Sequence, residues 1–480
     1  MAEQAYDEVV DTEPDEEGYE RGLGSRQIQM IAIGGAIGTG LFLGAGTAIS
    51  KAGPSLILSY AVAGLVIFAI MRALGELLTY RPVSGSFSEY AREFIGPFAG
   101  YVTGWTYWLF WVVTGMAETT AAAVYIKFWE PGIPQWISAL GFLVVLYAAN
   151  LISVKVFGEI EFWFSMIKVT AIIGIILIGI GVLTLGFSEA GDTASVSHLW
   201  NEGGFFPKGI GATVMTLQIV MFAYLGVELV GVTAGESEDP ARTLPRAINT
   251  LPWRIALFYI GALVIILSLV PWTEFRPGVS PFVAAFGKIG IPAAAGIINF
   301  VVLTAALSSC NSGMYSTGRM LRDLALRGQA PGRLTALNAR KAPAPAITVS
   351  CVLMGLGVVL NYLAPAKAFE YITSVATVCG IWTWAMILIC QIRYHASWKK
   401  GHLPPPTFKA PGGVVASWAA LLFLALVIVL IGFDPDNRIS LYVFPVWAAL
   451  LVISYLVLKR NRPEAVRGQA HDHLHVKSGS

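Results

Sequence analysis

The chain has 480 residues, of which 55% are hydrophobic and 13% charged, and its formal net charge is +2 at pH 7. A soluble domain carries about 25% charged residues, whereas the mean hydropathy here is +0.66. This composition excludes a soluble globule, because too few polar side chains are present to cover one, and it predicts an all-α polytopic membrane protein in a lipid bilayer.

The two ends of the chain differ from the middle. Residues 1–20 are acidic, contain no Lys or Arg, and are predicted to form a disordered cytoplasmic tail rather than a signal peptide. A transmembrane domain is predicted over residues 21–460 and a second cytoplasmic tail over 461–480. Four cysteines in or beside apolar segments are expected to be buried thiols: Cys310, Cys351, Cys379 and Cys390.

The apolar segments predict the number of membrane spans. A bilayer core of about 30 Å needs roughly 20 apolar residues per helix. On that rule the sequence predicts twelve transmembrane helices. They cover residues 27–50, 55–79, 98–128, 134–153, 160–186, 209–235, 248–272, 290–320, 343–363, 369–394, 413–433 and 439–458.

The positive charges predict the orientation. Twelve spans place both termini on the same side of the membrane, and Lys and Arg are concentrated in the loops on that side. The loop after span eight is the most basic, with Arg319, Arg322, Arg327, Arg333, Arg340 and Lys341. Because loops rich in Lys and Arg stay in the cytoplasm, both termini are predicted to be cytoplasmic.

The first span contains a glycine-rich stretch, residues 34–40 (GGAIGTG). Glycine costs about 1 kcal/mol relative to alanine in a helix interior, so the helix is predicted to break there. Loose backbone groups are tolerated in lipid only where protein, water or a ligand pairs them. The stretch is therefore interpreted as half of a small-molecule site, with close helix packing through small residues as the alternative.

Span six carries a second interrupted stretch, residues 222–228 (FAYLGVE), followed by Gly231 and Gly235. Broken helices at matching places in two halves of a chain are typical of inverted-repeat transporters. The predicted plan is therefore a 5+5 inverted repeat, residues 27–186 and 209–394, with broken helices one and six. Two extra helices over residues 413–458 complete it.

Lys168 is a charged residue inside predicted span five, with apolar residues on both sides. It lies about eight residues, or roughly 12 Å, from the start of the span, which is far for a side chain to reach the surface. Burial disfavours the charged form, so such a lysine can take up and release a proton near neutral pH. Lys168 is predicted to be the proton-coupling group, and snorkelling to the cytoplasmic surface is the alternative.

Four further charged residues lie in predicted spans. Glu118 in mid span three is expected to face the site, to face a water-filled cavity, or to partner another helix. Glu228 follows the predicted break in span six and is expected to cap or gate it. Arg72 and Glu76, one helical turn apart near the inner end of span two, are predicted to form a structural pair.

Other mechanisms lack their signatures in the sequence. No histidine lies well within a predicted span, which excludes a histidine proton relay. No Walker, Rossmann or zincin motif is present, so neither an enzyme nor an ATP-driven pump is expected. Neither a cofactor nor a metal site is expected, and uphill transport would have to draw on an ion gradient such as the proton gradient. A nucleic-acid partner is not expected either.

A pair of broken helices suits an amino acid. A half-helix N-terminus offers free N–H groups to the carboxylate, and unwound carbonyls suit the ammonium. The predicted substrate-binding set comprises Ile37, Gly38, Thr39 and Gly40 on the first stretch, Phe222, Ala223, Tyr224 and Leu225 on the second, and Glu118.

Several motifs in order resemble the bacterial amino acid transporter branch of the amino acid–polyamine–organocation superfamily. They are 33–42 (IGGAIGTGLF), 72–76 (RALGE), 158–163 (GEIEFW), and 234–236 (AGE) with Asp239-Pro240. The resemblance implies alternating access and proton-coupled uptake in the bacterial inner membrane. It also implies that residues 38–40 meet the substrate carboxylate, that residues 222–225 meet its amino group, and that Lys168 takes the place of a sodium ion.

The segments 104–117, 198–204, 299–304 and 311–313 look most like D-serine/D-alanine/glycine permeases. Glu118 departs from that group, where an aspartate is expected, and resembles aromatic permeases. Residues 228–236 resemble asparagine permeases. The expected function is proton-coupled import of a small neutral amino acid of the D-serine, D-alanine, glycine or L-alanine type. A permease for asparagine, GABA or aromatic amino acids, or an uncoupled exchanger, is the alternative.

Overall fold

The computed structural model describes residues 37–82, 86–152, 154–186, 194–232, 240–290 and 293–461, and every regular element in these ranges is helical. In chain order the α-helices are α1 Ala45–Ala52, α2 Leu56–Tyr80, α3 Ser86–Phe94, α4 Pro97–Ile126, α5 Gln135–Asn150, α6 Val154–Leu185, α7 His198–Asn201, α8 Gly209–Ala223, α9 Leu229–Val232, α10 Pro240–Asn249, α11 Leu251–Arg254, α12 Ala262–Leu269, α13 Pro281–Gly287, α14 Ala294–Leu326, α15 Ala344–Leu363, α16 Ala368–Lys399, α17 Gly413–Phe433 and α18 Ser440–Asn461. Single π-helical turns, Gly40–Gly44 and Ile255–Gly261, lead into α1 and α12.

Nine helical runs in the described ranges are long and apolar enough to cross a membrane. One of them, Gly40–Tyr80, covers residues 40–50 of predicted span one and all of predicted span two, because the short turn Gly53–Ser55 joins α1 directly to α2. Two shorter apolar helices, α5 and α8, coincide with predicted spans four and six. The polytopic all-α class is confirmed, while the count of twelve and the repeat arrangement stay predictions.

The helices differ in how much of their surface the protein itself covers. In α4, 78% of the most apolar window is buried, and in α14 the share is 72%, against 6% in α18. The long helices α4 and α14 pack against each other at the centre of the molecule. Apolar side chains on α18, such as Ile453, are exposed and form a surface suited to lipid.

The cysteines bear out their prediction. Cys310, Cys379 and Cys390 are buried and Cys351 is half-buried, and all four are free thiols. Among the residues that the structure describes, no group of three or more His, Cys, Asp or Glu side chains could hold a metal ion.

Candidate functional site

The two interrupted stretches meet at Gly40 and Ala223. A Cβ atom at Gly40 would lie 2.4 Å from Ala223 Cα and 2.8 Å from Ala223 N. No side chain fits in that gap, so glycine allows the two backbones to touch. The glycine-rich stretch and the second break, 183 residues apart in sequence (223 − 40), are thereby brought into direct contact.

The first stretch opens a helix. Ile37 and Gly38 precede the π-helical turn Gly40–Gly44, with Thr39 at its N-cap. The first N–H groups of a helix have no partner within it, and they point toward the residues that precede it. Thr39 Oγ1 is buried and has no hydrogen-bond partner among the described residues. Gly34 and Gly35, which are part of the predicted break, lie outside those residues.

The second stretch is a turn between α8, which ends at Ala223, and α9, which begins at Leu229. Gly226 adopts φ +97°, a conformation that glycine tolerates and other residues rarely do. The Glu228 carboxylate accepts hydrogen bonds from the Gly226 backbone N–H at 3.1 Å and from Trp384 Nε1 at 3.3 Å. Glu228 thus lies where it can cap the break, as predicted from its position.

The carbonyls of the second stretch have partners of their own. The Phe222 carbonyl accepts the Leu225 N–H at 3.1 Å. The Ala223 carbonyl accepts Tyr259 Oη at 3.1 Å. A carbonyl oxygen has two lone pairs, so each of these groups retains capacity for a second donor.

The Tyr224 side chain contacts residues outside the second stretch. Its hydroxyl donates to the Tyr60 carbonyl at 2.8 Å, and its ring packs in a cluster with Tyr60 and Tyr259. The ring is therefore part of the helix packing behind the break, and only the Tyr224 backbone shares the break with its neighbours.

Lys168 is fully buried and contacts the first stretch. Its Nζ donates to the Ile37 carbonyl at 3.3 Å and to Ser308 Oγ on α14 at 2.9 Å. The snorkelling alternative is wrong, because the side chain is enclosed by protein and directed to these two acceptors. The lysine instead joins α6 and α14 to the residue just before the first helical turn.

Glu118 lies on α4 beside the same stretch. A Cβ at Gly38 would be 3.0 Å from Glu118 Oε1 and 3.5 Å from Ser309 Oγ. The carboxylate is buried, and its Oε2 has no hydrogen-bond partner among the described residues. Glu118 therefore faces the first stretch, with Thr39 and Ser309 of α14 as hydrogen-bonding neighbours of its carboxyl group.

Arg72 and Glu76 do not form the predicted ion pair. Arg72 donates to Asn249 Oδ1 and to the Lys409 carbonyl, and its guanidinium lies 3.8 Å from the Phe408 ring centroid. Glu76 accepts His395 Nε2 at 2.7 Å, Gln391 Nε2 at 2.8 Å and the Ala410 N–H at 2.5 Å. Tertiary partners on other elements replace the local pair, because they satisfy more hydrogen-bonding groups.

A cleft leads to the second stretch from one end of the molecule. Its empty space measures about 490 Å³, including the part open to solvent. Its lining includes Phe222 of the second stretch, the charged residues Lys51 and Glu370, and the polar residues Gln218 and Asn437. The cleft therefore brings charged and polar side chains beside the second stretch.

Sequence reasoning missed three side chains that contact the predicted site. Ser308 bridges Lys168 and the buried carboxylate of Glu161, and Tyr259 bonds the Ala223 carbonyl. Serine and tyrosine occur throughout the predicted spans, so no pattern distinguishes these two. Glu161 was visible as an acidic residue within an apolar segment, and that signal could have been used.

Comparison with known proteins identifies the family of the chain. Residues 27–467 match the family described as amino acid permease. The chain is 48% identical over 437 residues to a probable threonine/serine transporter of Bacillus subtilis (strain 168), covering 91% of this chain and 94% of that protein. It is 45% identical over 471 residues to the D-serine/D-alanine/glycine transporter of Escherichia coli (strain K12), covering 97% and 100%.

An L-asparagine permease of Escherichia coli (strain K12) is also 45% identical, over 452 residues that cover 94% of this chain and 91% of that protein. These relatives are named for different amino acids, although they match this chain to similar extents. The chain belongs to the amino acid permease family, and it is a multi-pass membrane transporter of amino acids rather than an enzyme.

Proposed function

We propose that the protein imports a small neutral amino acid together with a proton, by alternating access, with no cofactor beyond the proton gradient. The D-serine, D-alanine, glycine or L-alanine type is the proposed substrate class. The observation that carries the proposal is the contact of two interrupted helices at Gly40 and Ala223, with Lys168 on the neighbouring Ile37 carbonyl.

The start of the helix Gly40–Gly44 is the proposed carboxylate site. Its N–H groups lack intrahelical partners, and the positive end of the helix dipole favours an anion. The buried hydroxyl of Thr39, a neighbour of the Glu118 carboxyl group, offers one further donor. The side-chain-free surface of Gly38 lets a ligand approach the backbone closely.

The carbonyls of the second stretch are the proposed ammonium site. Those of Phe222 and Ala223 each accept one hydrogen bond and can accept another. The buried Glu118 carboxylate beside Gly38 fills space at the first stretch, which supports a substrate with a short side chain. Leu225 adds its backbone to this part of the site.

Lys168 is the proposed coupling group. When charged, it donates to Ile37 and Ser308 and so holds the start of the first helix against α14. When neutral, it loses the charge that strengthens both bonds. A change in its protonation therefore alters the attachment of the half-helix that would bind the substrate.

The proposed membrane arrangement has twelve spans in two inverted repeats of five, with two extra helices and both termini in the cytoplasm of a bacterial cell. The concentration of Lys and Arg in the loop after α14 supports this orientation. The interruption of α8 before α9 and the helix start at Gly40 support paired broken helices.

The second candidate is an asparagine permease or an uncoupled exchanger. The L-asparagine permease is as similar as the D-serine/D-alanine/glycine transporter. A competition panel of D- and L-amino acids against labelled glycine separates the substrate classes. Counterflow without net uptake would identify an exchanger.

Labelled uptake into proteoliposomes, with and without an inward proton gradient, tests the coupling. We expect wild-type accumulation to follow the gradient. Lys168→Ala should lower it by about 10-fold or more while leaving measurable substrate binding. Lys127→Ala, at an exposed lysine, is the matched control and should behave as wild type. Normal accumulation by Lys168→Ala would remove Lys168 from the mechanism.

A further inference from the structure

A continuous line of hydrogen bonds runs from Lys168 to a second buried acid. Lys168 Nζ donates to Ser308 Oγ at 2.9 Å, and Ser308 Oγ donates to Glu161 Oε1 at 2.6 Å. All three side chains are fully buried. Both hydrogen bonds are donated in the direction from Lys168 to Glu161. A proton on Lys168 can therefore be transferred to Glu161 through the Ser308 hydroxyl.

The Glu161 carboxylate can accept further hydrogen bonds. Its Oε2 is buried and has no hydrogen-bond partner among the residues described. Burying a carboxylate oxygen without a hydrogen-bond partner costs free energy, so such a group calls for a functional explanation. The acidic groups whose charges act on Lys168 are Glu161 and Glu118.

Glu161 lies nearer the beginning of α6 than Lys168 does. Seven residues separate them, which is about 10 Å along a helix and places both on the same face. With the predicted orientation, the beginning of α6 is its cytoplasmic end. Glu118, by contrast, lies beside Gly38 at the proposed substrate site. One acid therefore lies beside the proposed substrate site, and the other lies nearer the predicted cytoplasmic end of α6.

We propose that Glu161 takes the coupling proton from Lys168 through the Ser308 hydroxyl and releases it toward the cytoplasm. This inference rests on the proton coupling proposed above. In the transfer, one N–H bond of the Lys168 ammonium breaks as an O–H bond forms at Ser308 Oγ. The original Ser308 O–H proton moves at the same time to Glu161 Oε1. A neutral amine and a neutral carboxylic acid result, and charge and protons balance.

A purely structural role would use the same contacts, since a hydroxyl can bridge an ammonium and a carboxylate without any transfer. The test must therefore separate proton movement from substrate movement. In proteoliposomes, proton movement is measured by net uptake under an imposed proton gradient and by acidification of the lumen. Counterflow with substrate on both sides and no gradient reports substrate exchange.

Glu161→Gln is the central variant. The amide keeps an oxygen acceptor for Ser308 but cannot hold a transferred proton. We expect the ratio of gradient-driven uptake to counterflow to fall by about 10-fold or more, with a matching loss of lumenal acidification. Glu159→Gln, two residues away on an exposed part of α6, is the matched control and should leave both the ratio and the acidification unchanged.

Variants of Ser308 test the hydroxyl that bridges Lys168 and Glu161. They also provide a second test if Glu161→Gln does not fold. Ser308→Ala removes the hydroxyl and should lower the same ratio, whereas Ser308→Thr retains it and should restore most of it. Glu161→Asp keeps a carboxylate and should retain part of the coupling. Monodisperse elution and substrate-dependent thermal stabilisation show which variants are folded.

The outcomes distinguish the two proposals. A wild-type protein that ignored the gradient would overturn both. A gradient-driven wild type in which Lys168→Ala accumulates normally would overturn the role of Lys168 and the relay with it. If Lys168→Ala fails but Glu161→Gln and Ser308→Ala keep a wild-type ratio and normal acidification, the relay alone is overturned.

Discussion

At the scale of single residues, the site depends on the absence of a side chain as much as on any group. Gly40 is placed where a Cβ would enter the Ala223 backbone, which cannot move aside as a flexible side chain could. Gly226 supplies the positive φ that lets α8 end and α9 begin again. Gly40 is therefore needed for the close approach to Ala223, and Gly226 for the turn between α8 and α9.

Gly40→Ala should therefore separate the two half-helices. Overpacking of this kind costs typically about 1–3 kcal/mol, and we expect a lower thermal unfolding temperature together with a loss of uptake of about 10-fold or more. Gly211→Ala on α8 is the control, because nothing lies within 4 Å of its added Cβ. Uptake by Gly40→Ala equal to that by Gly211→Ala would contradict the close approach.

At the scale of elements, Asp434 joins three segments at one end of the molecule. Its Oδ2 accepts Lys51 Nζ at 2.9 Å from α1, Gln218 Nε2 at 2.7 Å from α8, and Asn437 Nδ2 at 3.1 Å. Helices α1 and α8 are the continuations of the two interrupted stretches. The turn between α17 and α18 thus ties both half-helices together beside the cleft.

This junction predicts a pH dependence. Burial alone would raise the pKa of Asp434, but hydrogen bonds and the charge of Lys51 outweigh it and hold the pKa below its usual value. A lowered pKa in the folded state gives stability that is complete above the unfolded-state value of about 4. That stability is lost as the pH falls through the lower folded-state pKa.

Thermal unfolding of the wild type and of Asp434→Asn between pH 3 and 7 measures this contribution. We expect the wild type to be the more stable at neutral pH, and the difference to shrink as the pH falls below about 4. Glu370→Gln, a change to another acid lining the cleft, is the comparison. A difference that stays constant across the range would show that the Asp434 charge does not stabilise the junction.

At the scale of the whole molecule, the interior consists of buried helices around α4 and α14, and the perimeter is apolar. A membrane accounts for this arrangement, because lipid is as apolar as the exposed Leu and Ile side chains. The orientation of the protein in the membrane depends on the positive charges of its loops rather than on its core.

The predicted orientation can be measured with single cysteines. In a variant lacking Cys310, Cys351, Cys379 and Cys390, a cysteine at Lys127 should react with a membrane-impermeant maleimide added outside intact cells. A cysteine at Arg333 should react only after permeabilisation, since it lies in the basic loop after α14. Both positions are exposed. The reverse labelling pattern would invert the topology.

The membrane class and the approximate helices could be predicted from the sequence, because apolar length and breaker residues are local properties. The interruption in span six and the burial of Lys168 could be predicted as well, since glycine clusters and isolated charges within apolar segments stand out. The Arg72–Glu76 pair was predicted wrongly, because i,i+4 spacing permits a pair but does not exclude stronger tertiary partners.

Which groups meet in space could not be predicted from the sequence. The contact of Gly40 with Ala223, the line from Lys168 through Ser308 to Glu161, and the bond from Tyr259 to the Ala223 carbonyl all join residues far apart in sequence. Serine and tyrosine give no local signal of these roles. Their partners are fixed by how α6, α8 and α14 pack, which is a property of the whole chain rather than of any one segment.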